Sequence, residues 1–228
     1  MLTTSWPLKS KVKGVFFDLD GTLEDTAGGI LATVKYVCAQ FDIPYAGDET
    51  LRPYAGEGLV YLMRLCQSDL DDEILQQGFM SGLIYYREEG YRHNHPFPGV
   101  KDVLALLEQQ GIAWGIVTNK VRSIIKPSLD NLPRLPQSEL IICQDDLPRH
   151  KPDPLPLEEI CQRCGILPNE ALFVGDSLND MKAANAAGLY GVFVTYGYGN
   201  CNQLKASGIK SGIINHLDEL KTWLISTN

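Results

Sequence analysis

Short apolar runs ending in a polar residue recur along this chain, and amphipathic stretches separate them. Gly14-Val15-Phe16-Phe17 runs into Asp18, Trp114-Gly115-Ile116-Val117 into Thr118, and Ala171-Leu172-Phe173-Val174 into Gly175-Asp176. Runs this short, bounded by polar or turn residues, predict buried strands, because a helix needs a longer stretch. Leu140 to Cys143 and Gly191 to Val194 read the same way. Between the strands, apolar spacing predicts helices over 100–110, 155–164 and 181–187, the last ending at Gly188, and a C-terminal helix over 217–225. The Gly- and Asn-rich stretch 197–212 reads as loop. Five short strands with intervening helices predict an α/β fold whose core is a doubly wound, Rossmann-like parallel sheet.

The alternation is interrupted once. After the first strand the pattern is helical only: 26–41, with apolar positions at Ile30, Val34, Val37 and Phe41, then 59–66, then 74–91. Pro96-Phe97-Pro98-Gly99 ends this block. Residues 24–95 are therefore expected to form an inserted helical cap domain, with 1–23 and 96–228 making the core and hinges near Leu23 and Pro96. A chain of 228 residues, 44% hydrophobic, is large enough for both.

Composition narrows the class of partner. With 28 acidic and 20 basic residues, a net charge of -8 disfavours nucleic acid and anionic membrane, both of which call for basic surfaces. No apolar run approaches a membrane span, and Met1 to Lys13 carries Lys9, Lys11 and Lys13 without the apolar stretch of a signal peptide. A cytoplasmic protein, monomer or homodimer, with a small anionic ligand is expected. The six cysteines fit reduced thiols; Cys161 and Cys164 fall within a predicted helix and lack the second pair a zinc site needs.

The candidate chemistry sits where the strands end. Asp18 and Asp20, two apart in extended chain, point the same way. Gly21 permits a sharp turn, and Thr22 adds a hydroxyl. Hydrolysis of a phosphate monoester needs a nucleophile, a proton donor and strong charge neutralisation together. Asp18 is the candidate nucleophile, giving an acyl phosphate, and Asp20 the candidate acid and base. Asp176 and Asp180 add oxygen ligands suited to Mg²⁺. Thr118 and Lys151 would hold phosphoryl oxygens. A lone Asp-x-Asp at a strand end is more often a turn or a cap; the joint occurrence of four such stations, in this order, carries the assignment.

These stations resemble those of the haloacid dehalogenase superfamily phosphatases with a helical cap inserted after the first motif. The matching segments are Phe17-Asp18-Leu19-Asp20-Gly21-Thr22-Leu23, Val117-Thr118-Asn119-Lys120, His150-Lys151-Pro152-Asp153-Pro154 and Val174-Gly175-Asp176-Ser177-Leu178-Asn179-Asp180. The resemblance implies that Asp18 is nucleophile and Mg²⁺ ligand, Asp20 acid/base with its main-chain carbonyl on the metal, and Asp176 a metal ligand supported by Asp180. It implies that Thr118 and Lys151 bind phosphate, with Asn119 contributing mainly its backbone amide.

Thr195-Tyr196-Gly197-Tyr198-Gly199 is similar to the phosphoglycolate phosphatase branch, which also holds enzymes for pyrophosphate and for sugar phosphates such as N-acetylmuramate 6-phosphate. A phosphomutase, or a phosphometabolite-binding protein without turnover, would use the same stations. Glu24 stands where that resemblance leads one to expect an apolar residue and is expected to face solvent. Gly56-Glu57-Gly58 resembles a cap loop placed over the site, although an ordinary helix start reads alike. Glu57 would repel a carboxylate-bearing substrate unless Arg52 or Arg64 offset it. His93-Asn94-His95 reads as exposed linker, and Tyr85, Tyr86 and Tyr91 as cap core or as a stacking platform.

Overall fold

The computed structural model describes residues 11–225; the N-terminal reading over Met1 to Ser10 lies outside the described residues, as do the last three positions. Strand β1 (Gly14–Phe17) is buried along its whole length, which is what an unbroken apolar run predicts for a strand covered on both faces. It lies between β4 (Ala113–Val117) and β6 (Ala171–Gly175), pairing Val15 with Trp114 on one side and Leu172 on the other, all parallel. Strand β5 (Ile141–Ile142) extends the sheet beyond β4, and β7 (Tyr190–Val194) and β8 (Gly212–Ile214) extend it beyond β6.

Successive side chains of β1 enter opposite layers. Val15 and Phe17 pack with helix α5 (Val100–Gln109) and α10 (Glu219–Ile225), through Leu104, Leu107, Leu220 and Trp223. Phe16 joins Phe173 against α7 (Leu155–Cys164) and α8 (Leu178–Ala187), through Ile160 and Ala184. Cys161 is part of this second layer, so its role is packing. Among the described residues no helix is long and apolar enough to cross a membrane.

The helical block leaves and rejoins the core through a two-stranded antiparallel ladder, β2 (Glu24–Asp25) with β3 (His95–Pro96). Between them lie α1 (Ala27–Gln40), α2 (Asp48–Leu51), α3 (Leu59–Cys66) and α4 (Asp72–Glu88), gathered around their own cluster of Leu31, Val34, Val37, Leu62 and Met63. Glycines let α1 and the turn after α4 touch: a Cβ on Gly29 would lie 2.6 Å from the Gly90 carbonyl oxygen.

Four features depart from the pattern expected of the sequence. Among the described residues the sheet has six strands, not five, because 197–212 holds helix α9 (Cys201–Ser207) and the start of β8 in place of a loop. Helix α9 buries only Leu204, so it shows no amphipathic period. Helix α6 (Arg122–Asn131) follows β4 although Pro127 sits inside it, where proline normally argues against a helix. Glu24, expected in solvent, is fully buried, because Asn131 and Asn94 reach it from distant parts of the chain. Asn94 is likewise buried, whereas His93 and His95 on either side are exposed.

Replacing a helical glycine by alanine ordinarily gains about 1 kcal/mol of helix propensity. Here overpacking against a carbonyl wins: Gly29→Ala is expected to destabilise the protein by about 1–3 kcal/mol, read as a lower urea midpoint. An unchanged or higher midpoint would show that α1 is not held this close.

Candidate active site

Because β4, β1 and β6 are neighbours, the residues following them converge beyond their carboxyl ends, where open parallel sheets bind ligands. Asp18, Thr118 and Asp176 occupy those positions, all buried. The Asp18 amide donates to the Val174 carbonyl at 2.9 Å, continuing the β1–β6 ladder into the site. Lys151 enters from the loop after β5, 2% exposed at its side chain, and its ammonium lies 2.8 Å from Asp18 Oδ1 and 2.7 Å from Asp180 Oδ1. The Phe173 ring sits beneath the same ammonium, 5.2 Å from centroid to Nζ.

Helix α8 begins inside this site. Ser177 is its N-cap, accepting from the Asp180 amide, while Asp180 Oδ2 accepts from the Ser177 amide at 2.9 Å and hydroxyl at 2.6 Å. This reciprocal cap places Asp180 where a capping box ordinarily has Glu or Gln. Both Asp180 oxygens are thereby engaged, one by Lys151 and one by Ser177. Asp176 Oδ2 accepts from the Tyr198 amide at 2.6 Å and the Gly199 amide at 3.3 Å, which draws the loop after β7 over the site.

Asp18, Asp176 and Asp180 bring carboxylate oxygens within 4.8 Å of one another. Burial pushes the Asp18 carboxyl up to about 7; Lys151 opposes the shift, and the negative charges of Asp180 and Asp20 add to it. Burial also raises Asp176 well above the carboxylate range, helped by Asp180 and Asp18. Burial acts against the charged form of Lys151, but Asp18 and Asp180 outweigh it and keep the ammonium protonated. Hard oxygen donors crowded this closely fit a divalent cation of the Mg²⁺ type, which would offset their mutual repulsion.

Asp20 also lines the site, its Oδ1 accepting from Lys120 Nζ at 2.7 Å. The turn between these aspartates and the next strand needs glycine at Gly21: its φ is +78°, and a Cβ there would lie 2.8 Å from Asp176 Cγ. The Asn119 side chain donates to the Lys151 carbonyl at 2.9 Å. Thr118 Oγ1 accepts from the Lys120 amide at 3.1 Å.

Above these groups is a cavity of about 250 Å³, roofed by Gly56, Glu57, Gly58, Leu59, Phe79 and Tyr86. The Gly56-Glu57-Gly58 loop therefore faces the core groups. Neither arginine offsets Glu57 there: Arg52 pairs with Asp25 at 2.8 Å, and Arg64 donates to the carbonyls of Ser68 and Leu70. The tyrosines divide, Tyr85 stacking on Tyr36 at 4.3 Å while Tyr86 reaches the cavity.

Three residues whose partners the sequence does not show matter here. Lys120 was visible beside Thr118-Asn119, but its partner Asp20 lies 100 positions away. Tyr86 meets Lys120 only in three dimensions. Tyr198 hydroxyl accepts from the amides of Thr26 and Ala27 at 2.7 and 2.9 Å and donates to Asp25 Oδ1 at 2.8 Å, tying the loop after β7 to the start of α1. At Asp25 burial acts upward, but the bonds from Tyr198, Ala27 and Arg52 outweigh it and hold the carboxyl below its ordinary range.

The family model described as haloacid dehalogenase-like hydrolase matches residues 15–194. A phosphoglycolate phosphatase of Pseudomonas putida is 36% identical over 198 residues, covering 84% of this chain and 72% of its own. The phosphoglycolate phosphatase of Escherichia coli K12 is 36% identical over 208 residues, covering 82% of each. The crystal structure of a predicted phosphoglycolate phosphatase from Haemophilus somnus superposes with a TM-score of 0.80 at 26% identity, covering 95% of this chain and 99% of that one.

The raised Asp18 value fixes the sign of a pH effect. A carboxyl that keeps its proton up to about 7 when folded, against 3.8 ordinarily, stabilises the fold below 3.8 and loses that contribution as pH rises through 7. In EDTA the urea midpoint is expected to fall between about pH 5 and about pH 8, and Asp176→Asn, which removes one crowded charge, to exceed the parent at the upper end. A variant less stable than the parent at both ends would contradict this.

Proposed function

The chain belongs to the haloacid dehalogenase-like hydrolases, and on that premise we propose that it hydrolyses small phosphomonoesters through an aspartyl-phosphate intermediate, as a cytoplasmic Mg²⁺-dependent phosphatase of the phosphoglycolate phosphatase type. The observation that carries this is the convergence of Asp18, Asp20, Thr118 and Lys151 on one cavity beyond the central strand. An Asp18 oxygen attacks phosphorus as the bond to the leaving oxygen breaks, and Asp20 gives that oxygen a proton. Water then attacks phosphorus, the bond to Asp18 breaks, orthophosphate leaves, and Asp20 takes the water proton. Lys151 and Thr118 hold phosphoryl oxygens throughout, and Asn119 fixes the Lys151 loop.

Mg²⁺ would be held by Asp18, Asp176 and the Asp20 main-chain carbonyl, with Asp180 in support, and supplies charge neutralisation for the phosphoryl group. Asp180 suits support because both its oxygens already accept from protein donors.

The relatives' names support phosphoglycolate as substrate. Glu57 supports a second reading. Both lysines in the cavity lining are already paired with aspartates, and the charged side chain in its cap-derived lining is Glu57, so an uncharged leaving group, as in a sugar phosphate, meets less repulsion than a carboxylate.

Phosphate release over a panel of 2-phosphoglycolate, pyrophosphate, sugar phosphates and nucleotides, with Mg²⁺ and with EDTA, tests the activity; turnover is expected with the metal and not with the chelator. Asp18→Asn is expected to lower kcat at least about 10³-fold with the fold retained. Glu57→Gln is expected to raise kcat/KM for 2-phosphoglycolate relative to a neutral ester by about fivefold, the size of one exposed charge interaction of about 1 kcal/mol. Metal-independent turnover, or an active Asp18→Asn, would refute the mechanism.

A further inference from the structure

We propose that Lys120 and Tyr86 are positioning residues for Asp20, so that the proton-transferring carboxylate is set in place only when the helical cap is seated on the core. The inference rests on the phosphatase reading above. Lys120 Nζ is 2.7 Å from Asp20 Oδ1 and donates at 2.7 Å to the Tyr86 hydroxyl, which belongs to cap helix α4. The lysine side chain is 4% exposed. A buried ammonium is costly unless paired and hydrogen-bonded, so removing either partner leaves it short of an acceptor. One of those partners is the core acid and the other the cap tyrosine.

The tether continues into the hinge. Tyr86 Oη also accepts from Asn94 Nδ2 at 2.7 Å. That amide lies 3.5 Å from Glu24 Oε2, and Glu24 Oε1 accepts from Asn131 Nδ2 at 2.9 Å. A continuous polar line thus runs from Asp20 through Lys120, Tyr86, Asn94 and Glu24 to helix α6. It passes Glu24 on β2 and Asn94 next to β3, the two connections between cap and core. Displacing the cap would withdraw Tyr86 from Lys120 and free the Asp20 rotamer.

The same bond suits both states of the acid. An ammonium donates to one oxygen of a carboxylate or to the carbonyl oxygen of the protonated acid, so Oδ1 can stay tethered while Oδ2 gives and takes the proton. Lys120 differs in this from Lys151, whose ammonium lies between Asp18 and Asp180 at the phosphoryl end. If Lys120 were a second phosphate binder, its loss would affect every ester alike. As a positioner of the acid, it matters most where the leaving oxygen needs a proton.

The test compares kcat/KM, which covers steps only through phosphoryl transfer to the enzyme, for ethyl phosphate and p-nitrophenyl phosphate, whose leaving group needs little protonation. Tyr86→Phe, which removes one hydroxyl, is expected to lower the ethyl phosphate value about tenfold and the p-nitrophenyl phosphate value less than about threefold. Lys120→Met is expected to widen the gap to about a hundredfold loss on ethyl phosphate, within the range for general acid catalysis. Inhibition by orthophosphate should stay unchanged in both variants. Equal losses on both esters, from misfolding or from a phosphate-binding role, or weakened orthophosphate inhibition, would overturn the proposal. If the unsubstituted protein hydrolyses neither these esters nor any ester of the panel above, the phosphatase reading itself fails, and this role fails with it.

Discussion

Three buried carboxylates crowd together at the end of the central strand, two of them paired with one buried ammonium, and much of the molecule is arranged to make that tolerable. Asp18, Asp176 and Asp180 could not sit this close in an apolar sheet edge without compensation, because burial and neighbouring negative charge favour the neutral forms of Asp18 and Asp176. Lys151 supplies part of it, and the Ser177 cap and the amides of Tyr198 and Gly199 supply more. The remaining excess of negative charge is what a divalent cation would neutralise, and the cation would in turn attract the anionic phosphoryl group. Crowding of the carboxylates and an affinity for a divalent cation would thus be two consequences of one arrangement.

The fold serves this arrangement by bringing separate stretches together. Parallel pairing of β1 with β4 and β6 places Asp18, Thr118 and Asp176 side by side. Besides the Tyr86–Lys120 bond, the helical block is held to the core by the β2–β3 ladder and by Tyr198, whose hydroxyl takes up two amides at the start of α1. Because Tyr198 lies on the same loop that contacts Asp176, the cap root and the carboxylate cluster meet within one short segment.

Much of this was legible in the sequence because it is local. Unbroken apolar runs marked β1, β4 and β6, and a polar residue soon after each lines the cavity beyond the sheet. Helices with a clear apolar face, such as α3 over Leu59–Cys66, were readable to the residue. What stayed hidden depends on partners distant in sequence or on weak periodicity. Nothing near Glu24 says it is buried, since the donors to its carboxylate are the side-chain amides of Asn94 and Asn131. Helix α9 buries one residue, and α6 carries Pro127, so neither announces itself. Lys120 was visible as a residue but not as the link between Asp20 and Tyr86, which exists only once cap and core are folded against each other.

The central claim is that Asp18 carries the phosphoryl group covalently. The most direct measurement is acid quenching of the enzyme during turnover of a ³²P-labelled ester, followed by digestion and identification of the labelled peptide. The account predicts a hydroxylamine-labile phosphate on the peptide containing Asp18, absent from Asp18→Asn. Release of orthophosphate with no protein-bound label at any time during turnover would contradict it.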